Sequence, residues 1–285
     1  MVDTVAFIEK VARRLGLVQF LPQRFTRPKG TAGWSGNGMV ATLNGTGFMF
    51  EVRDRFADAF IQDAGQQGRA GRPSLEVGCA YGVSTLPALE AGALITASDL
   101  DQRHLDILRT KVPAHLLGNL ELVAGALPHM DFPAHRFSAI LCSRVLHFLT
   151  GEDVDASVHK MADWLAPGGR LYLVADTPYG IWRRKIPEFE AGKARGERWP
   201  GMMVGLHNYL AGGAPARPIA KPPFMNVIDP DLLARTCQEA GLTVLEAGYI
   251  SRADFTGLGR MDGRENAGVI AIRPAILSGL RAVPA

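Results

Sequence analysis

The chain has 285 residues, 47% of them apolar and 21% charged, and a net charge of +3. That is enough apolar material for one large core, or one core plus a cap. No apolar run approaches the roughly 20 residues that span a bilayer, and Met1-Val2-Asp3-Thr4 lacks the basic start and cleavage site of a signal peptide, so a cytoplasmic protein with no membrane partner is expected. Cys79, Cys142 and Cys237 are odd in number and far apart, which argues against a disulfide frame and an iron–sulfur cluster, and no metal site is expected.

In chain order, Val5, Ile8, Val11, Ala12 and Leu15 recur at helical spacing before Gly16, predicting an amphipathic helix over 4–15. Residues 27–47 are glycine-rich, without a period, and read as a loop. Phe50, Val52, Phe56, Phe60 and Ile61 predict a helix over 49–64. Strand and helix patterns then alternate over 74–77, 83–91, 94–98, 102–112, 120–124, 138–142, 154–165 and 171–175. Such alternation predicts a doubly wound α/β core, a mostly parallel sheet covered on both faces with its ligand at the carboxyl ends of the strands.

Residues 178–226 break the pattern. They hold seven of the 18 prolines and six aromatics, too many aromatics for a disordered linker, so a folded cap is expected. The cap carries eight basic and three acidic residues, a surplus of five in a chain of net +3. A solvated surface is the plain reading of that charge. The sharper one is attraction of an anionic substrate or of an acyl group on an acidic carrier protein. No nucleic-acid-binding motif flanks the core, so nucleic acid is not an expected partner. Asp229-Pro230-Asp231 opens a helix through Glu239, and 243–250 and 268–272 read as two closing strands. The expected division is an N-terminal helical segment over 1–70, a core over 71–177 and 227–275, and an inserted substrate cap over 178–226.

The chemistry concentrates in Leu75-Glu76-Val77-Gly78-Cys79-Ala80-Tyr81-Gly82, where a strand turns into a helix, and in Asp99 at the end of the next strand. An acid there grips a ribose diol, so an adenosine-bearing cofactor is expected across the two strand ends. Dinucleotide spacing would put glycines at Ala80 and Val83, and neither is glycine. The pattern Glu76-x-Gly78-x-x-x-Gly82 instead resembles the first motif of class I S-adenosylmethionine-dependent methyltransferases. Residues 137–149 resemble that family's fourth-strand motif, Leu165-Ala166-Pro167-Gly168-Gly169 its hairpin before strand five, and 122–128 the end of strand three, where Ala126 stands at a frequently acidic position.

The resemblance implies a seven-stranded, Rossmann-like methyltransferase sheet with an antiparallel edge hairpin and a mixed cap. It implies S-adenosylmethionine as cofactor, held by Glu76, Gly78, Cys79, Ala80, Tyr81 and Gly82, by Asp99 and Leu100, by Ala126 and Leu127 around the adenine, and by Ser143. Asp101 is the alternative ribose acid, although it is better placed to cap the following helix. The implied activity is methyl transfer to a small molecule, with oxygen favoured as acceptor on family breadth. His147 is a candidate general base and Tyr179 a candidate sulfonium or acceptor contact; Trp182, His207 and Tyr209 are candidate substrate residues. Each has a packing role as its alternative. Two other functions stay open: an internal cyclisation or lyase reaction releasing methylthioadenosine, and cofactor binding without chemistry.

Overall fold

The computed structural model describes residues 39–213, 222–255 and 257–275. The helix expected over 4–15, residues 27–38 of the expected loop, and Pro215, Arg217, Pro218 and Lys221 of the insertion lie outside those residues.

The described chain begins with a hairpin, β1 (Met39–Ala41) and β2 (Phe48–Phe50). Its turn is closed by Gly45 N–H on the Thr42 carbonyl at 3.1 Å and Thr42 N–H on that of Gly47 at 3.1 Å. This corrects the helix expected over 49–64. Helix α1 (Arg55–Arg69) starts only where the Asp54 carboxylate accepts from Phe56 and Ala57 N–H. Met49 and Phe50 fit the helical period by coincidence, and pairing with β1 claims their backbone instead.

After α1 come β3 (Pro73–Val77), α2 (Thr85–Glu90), β4 (Leu94–Asp99), α3 (Gln102–Lys111), β5 (Leu120–Ala124), β6 (Phe137–Ser143), α4 (Gly151–Trp164) and β7 (Leu165–Asp176). The insertion holds α5 (Ile186–Ala194) and a ribbon of β8 (Met202–Val204) and β9 (Phe224–Asn226). Helix α6 (Pro230–Glu239), β10 (Thr243–Ile250) and β11 (Asn266–Ile272) close the fold. Seven strands form one sheet in the order β10-β11-β7-β6-β3-β4-β5, parallel except for the antiparallel pairings of β11 with β7 and β10. The order reverses at β3, which puts a crevice above the carboxyl ends of β3, β4 and β6. The ribbon β8–β9 stands apart from this sheet.

Strand alternation divides the core into two layers. Ala139, Leu141 and Tyr172 pack with Phe60, Ile61, Leu89 and Leu105 of α1 to α3. Their neighbours Ile140, Cys142, Leu171 and Leu173 pack with Val158, Met161, Leu233 and Cys237 of α4 and α6. A sheet apolar on both faces explains why its strands read as continuous apolar runs. At the expected Pro-Gly-Gly turn, Gly168 N–H donates to the Arg273 carbonyl and Arg273 N–H to that of Gly169, both at 2.9 Å. These bonds tie the start of β7 to the chain just beyond β11. No helix among the described residues is long and apolar enough to cross a membrane.

Candidate functional site

The loop after β3 is held from below. Gly78 and Cys79 N–H both donate to the Ser98 carbonyl of β4, at 2.8 and 2.9 Å. Gly78 (φ 73°) and Gly82 (φ 88°) are left-handed, and a Cβ on either would lie 2.3 Å from Val145 or Leu108 respectively. Their lack of a side chain therefore serves close packing of the loop against its neighbours. Ala80 shares the left-handed conformation, φ 44°, at a strain cost that only an over-determined loop sustains. Glu76 lies below the loop, buried, and accepts from the Thr85 hydroxyl at the start of α2. Burial pushes its carboxyl up to about 7, against the pull of the Thr85 and Ser84 hydrogen bonds. Burial likewise holds the Cys79 thiol well above its ordinary value, so it sits as a neutral packing group.

Asp99 is the hub of the site and is only 6% exposed. Its Oδ2 accepts from Ala80 N–H at 2.9 Å, and its Oδ1 from Asp101 N–H at 2.9 Å and His104 Nδ1 at 3.0 Å. The other nitrogen of His104, Nε2, accepts from Leu43 N–H at 3.1 Å, which assigns the imidazole's single proton to Nδ1. Tyr81 stands edge-on to the same imidazole and donates its hydroxyl to the Ala41 carbonyl at 3.1 Å. The β1–β2 hairpin is thus fastened to the loop and to Asp99 through two aromatic residues. Across the crevice Gly47 meets the Phe148 ring, and Phe50 lies against the guanidinium groups of Arg144 (4.5 Å) and Arg252 (5.0 Å).

Beside this buried acid, Leu100 is 60% exposed, an apolar surface next to a hydrogen-bonding one. Asp101 caps α3 through Arg103 N–H, and the Arg103 side chain lowers its carboxyl to about 2. Asp101 is thus committed to α3. The Ala126 carbonyl accepts from His129 and Met130 N–H at 2.8 and 2.9 Å, and the Leu127 side chain is buried, so this segment's exposed recognition groups are fewer than the sequence implies.

Ser143, half-buried, ends β6 and pairs with Val174, so it comes to the same rim. Arg144, with φ 60°, donates to Asn266 Oδ1 at 2.7 Å, and Asn266 donates to Asp176 Oδ1 at 2.8 Å. Burial, with the charge of Arg252 beside it, lowers the Arg144 guanidinium to about 10. His147 is buried, which depresses its imidazole, and its Nδ1 accepts from Asp176 N–H at 3.1 Å. The neutral ring then carries its proton on Nε2 and offers a donor with no free lone pair. As placed, His147 offers a donor and not the lone pair that the expected general-base role needs.

Tyr179 is also differently employed. Its hydroxyl donates to Glu190, its ring is covered by Arg264 at 3.7 Å and edged by Phe189 and Tyr249, and burial with Glu190 raises its phenol well above the usual range. These contacts make it a hinge of the insertion, with one ring face already taken. Tyr209 bonds Glu188 at 3.3 Å and lies near Lys185 Nζ. Trp182 Nε1 and His207 Nδ1 are buried without a partner, as are both amide atoms of Asn226 at the end of β9.

Sequence reasoning missed Arg144, Asn226 and His104. Arg144 follows β6 and Asn226 ends β9 where the insertion returns to the core, and only three-dimensional pairing identifies them. Of the insertion's surplus of five charges, two are offset by acids outside it, those of Lys193 and Arg198. Arg183 bonds the Gly180, Leu258 and Arg260 carbonyls, Lys185 pairs with Glu188, Lys193 with Asp229 and Asp231, Arg195 with Glu197, and Arg198 with Asp155 and Glu239. No group of three or more His, Cys, Asp or Glu is placed to hold a metal ion among the described residues.

Residues 75–169 match the model of a methyltransferase domain. The cypemycin N-terminal methyltransferase of a Streptomyces species is 32% identical over 132 residues, 46% of this chain and 50% of that protein. The demethylmenaquinone methyltransferase of Tropheryma whipplei is 36% identical over 107 residues, 36% of this chain and 41% of that one. The chain therefore spans half or less of the length of these curated relatives. An S-adenosylmethionine-dependent methyltransferase from Mesorhizobium loti shares the fold, with a TM-score of 0.51 at 18% identity over 75% of this chain and 100% of that one.

Proposed function

We propose that this chain, whose residues 75–169 match the model of a methyltransferase domain, is a class I S-adenosylmethionine-dependent methyltransferase that binds its cofactor at the carboxyl ends of β3 and β4. It transfers the methyl group to a small-molecule or peptide acceptor at the rim formed by β6, β7 and the insertion. The observation that carries this reading is the interlock of Asp99 with the loop after β3, with the exposed Leu100 beside it. An acid fixed by three N–H groups keeps acceptor capacity on Oδ2 for a hydroxyl, and Leu100 presents an apolar flank for a purine ring.

When bound, the cofactor supplies an electrophilic methyl group on a sulfonium. The chain's own contribution is alignment and exclusion of water, which can supply most of the acceleration. The hairpin is held on the loop through Tyr81 and His104. His147, as a donor at Nε2, would bond one lone pair of an ionised oxygen and leave another for the attack, whereas a neutral amine needs its single lone pair for the methyl group and would be held by other contacts.

The test is calorimetry with S-adenosylhomocysteine and with nicotinamide dinucleotides, followed by incubation with S-adenosylmethionine and a metabolite extract. Binding of S-adenosylhomocysteine alone, and its formation during turnover, are expected. Release of methylthioadenosine would move the reading to the cyclisation or lyase class. Binding of a dinucleotide with no response to S-adenosylhomocysteine would overturn it.

A further inference from the structure

Asn226 is the last residue of β9 and is completely buried, yet neither Nδ2 nor Oδ1 has a partner. A buried carboxamide with nothing bonded is rare in a folded protein, because its desolvation is uncompensated. Its place is specific. The residue pairs with Met202 across the ribbon, and β9 packs on the 146–148 turn that carries His147. Two residues on, Ile228 N–H donates to the Asp176 carbonyl at 2.8 Å, and Asp176 N–H is the group that holds His147. Asn226 is therefore next to the segment that carries His147 and Asp176, on the side of the sheet where the acceptor is proposed to bind. Strand alternation turns its side chain opposite to that of Met225, which lies in the large core. Trp182 Nε1 and His207 Nδ1, the other partnerless atoms of the insertion, show that hydrogen-bonding capacity is left unspent on this side of the molecule.

We infer that Asn226 reads the acceptor, and that the acceptor carries a carboxamide or peptide group. A side-chain amide offers one donor and one acceptor in a plane, and of an amide, an ester, an ether and a carboxylate only the amide satisfies both at once. An ester or ether satisfies only the donor, and a carboxylate likewise. The inference rests on the methyl-transfer reading above and narrows its acceptor class.

The test compares L-alaninamide with L-alanine methyl ester, which has the same amine but no amide N–H. Formation of S-adenosylhomocysteine from S-adenosylmethionine measures turnover, and saturation-transfer NMR on the protein saturated with S-adenosylhomocysteine measures binding. The expected result is a preference for the amide of about 10–100-fold, the value of a paired hydrogen bond in a buried site. Asn226→Leu, of similar volume, should abolish that preference while leaving S-adenosylhomocysteine affinity unchanged, and should raise Tm because an unsatisfied amide is removed. Asn226→Ser, which keeps one hydroxyl, guards against misfolding of the first variant and should retain only part of the preference. Equal handling of the two probes by the native chain, or an amide preference that survives Asn226→Leu, overturns the inference while leaving methyl transfer in place. Failure of the native chain to bind S-adenosylhomocysteine fails the methyl-transfer reading instead, and the inference with it.

Discussion

Replacing Asp99 by Asn tests whether this acid belongs to the ligand alone or also holds the site together. Three N–H groups converge on the carboxylate: Ala80 on Oδ2, Asp101 and His104 on Oδ1. An asparagine has one oxygen, so its NH2 must face a donor in either orientation. The better orientation keeps the Asp101 and His104 bonds and leaves Ala80 N–H buried and unmet. That costs about 1–3 kcal/mol, and loss of the charge weakens the two bonds that remain, so a total near 2–4 kcal/mol is expected. For a domain of this size the melting temperature should fall by roughly 4–12 °C. Affinity for S-adenosylhomocysteine should fall less, about tenfold, because the amide still bonds a hydroxyl. Thermal melts of the ligand-free protein and calorimetry with S-adenosylhomocysteine separate the two effects. A melting temperature within 1 °C of native, with affinity alone reduced, would refute the structural role of Asp99. It would leave Asp99 as a ligand-binding acid alone.

Glu76 gives a pH signature. Its folded pKa of about 7 lies above the ordinary 4.5, so the folded protein binds the proton more tightly. The stability it contributes is full below pH 4.5 and is lost as pH rises through 7, by roughly 3 kcal/mol. Glu76→Gln should flatten that slope and be more stable than native at pH 8 in denaturant titrations; a parallel pH dependence in the two proteins would count against it. Gly78→Ala should destabilise through both its φ and the contact with Val145, with Val145→Ala restoring only the contact part. Full restoration would show that φ is not strained. Leu100→Ala should leave the melting temperature unchanged and weaken S-adenosylhomocysteine by about 1 kcal/mol, read by calorimetry. An unchanged affinity would remove Leu100 from the purine flank.

Much of the fold was legible because its signals are local. The glycine loop, the acid at the end of β4, the strand and helix periods and the Pro-Gly-Gly turn each sit within a dozen residues. The hairpin at 39–50 is hidden in the sequence because Met49, Phe50, Val52 and Phe56 satisfy a helical period, while Asn44-Gly45, a turn signal, lies in a glycine-rich stretch without a period. The roles of the site residues were less legible. Asp99 draws its partners from residues 80, 101 and 104, and His104 in turn from residue 43. His147 looks like a base in the sequence because nothing there shows that Asp176 N–H claims its lone pair. Asn226 has no motif at all; only its burial without partners makes it conspicuous.

The ribbon of β8 and β9 is anchored by its inward side chains Met203 and Met225, which lie in the large core, and by the main-chain bond of Ile228 N–H to the Asp176 carbonyl. Neither anchor depends on what the exposed positions of the ribbon carry. Mutation can therefore rewrite its outward-facing residues without disturbing β3, β4 or the loop between them. A lineage built on this scaffold could diversify at one end of the sheet while the other end stays fixed, and the division falls between β7 and α6, where the chain leaves the sheet and comes back.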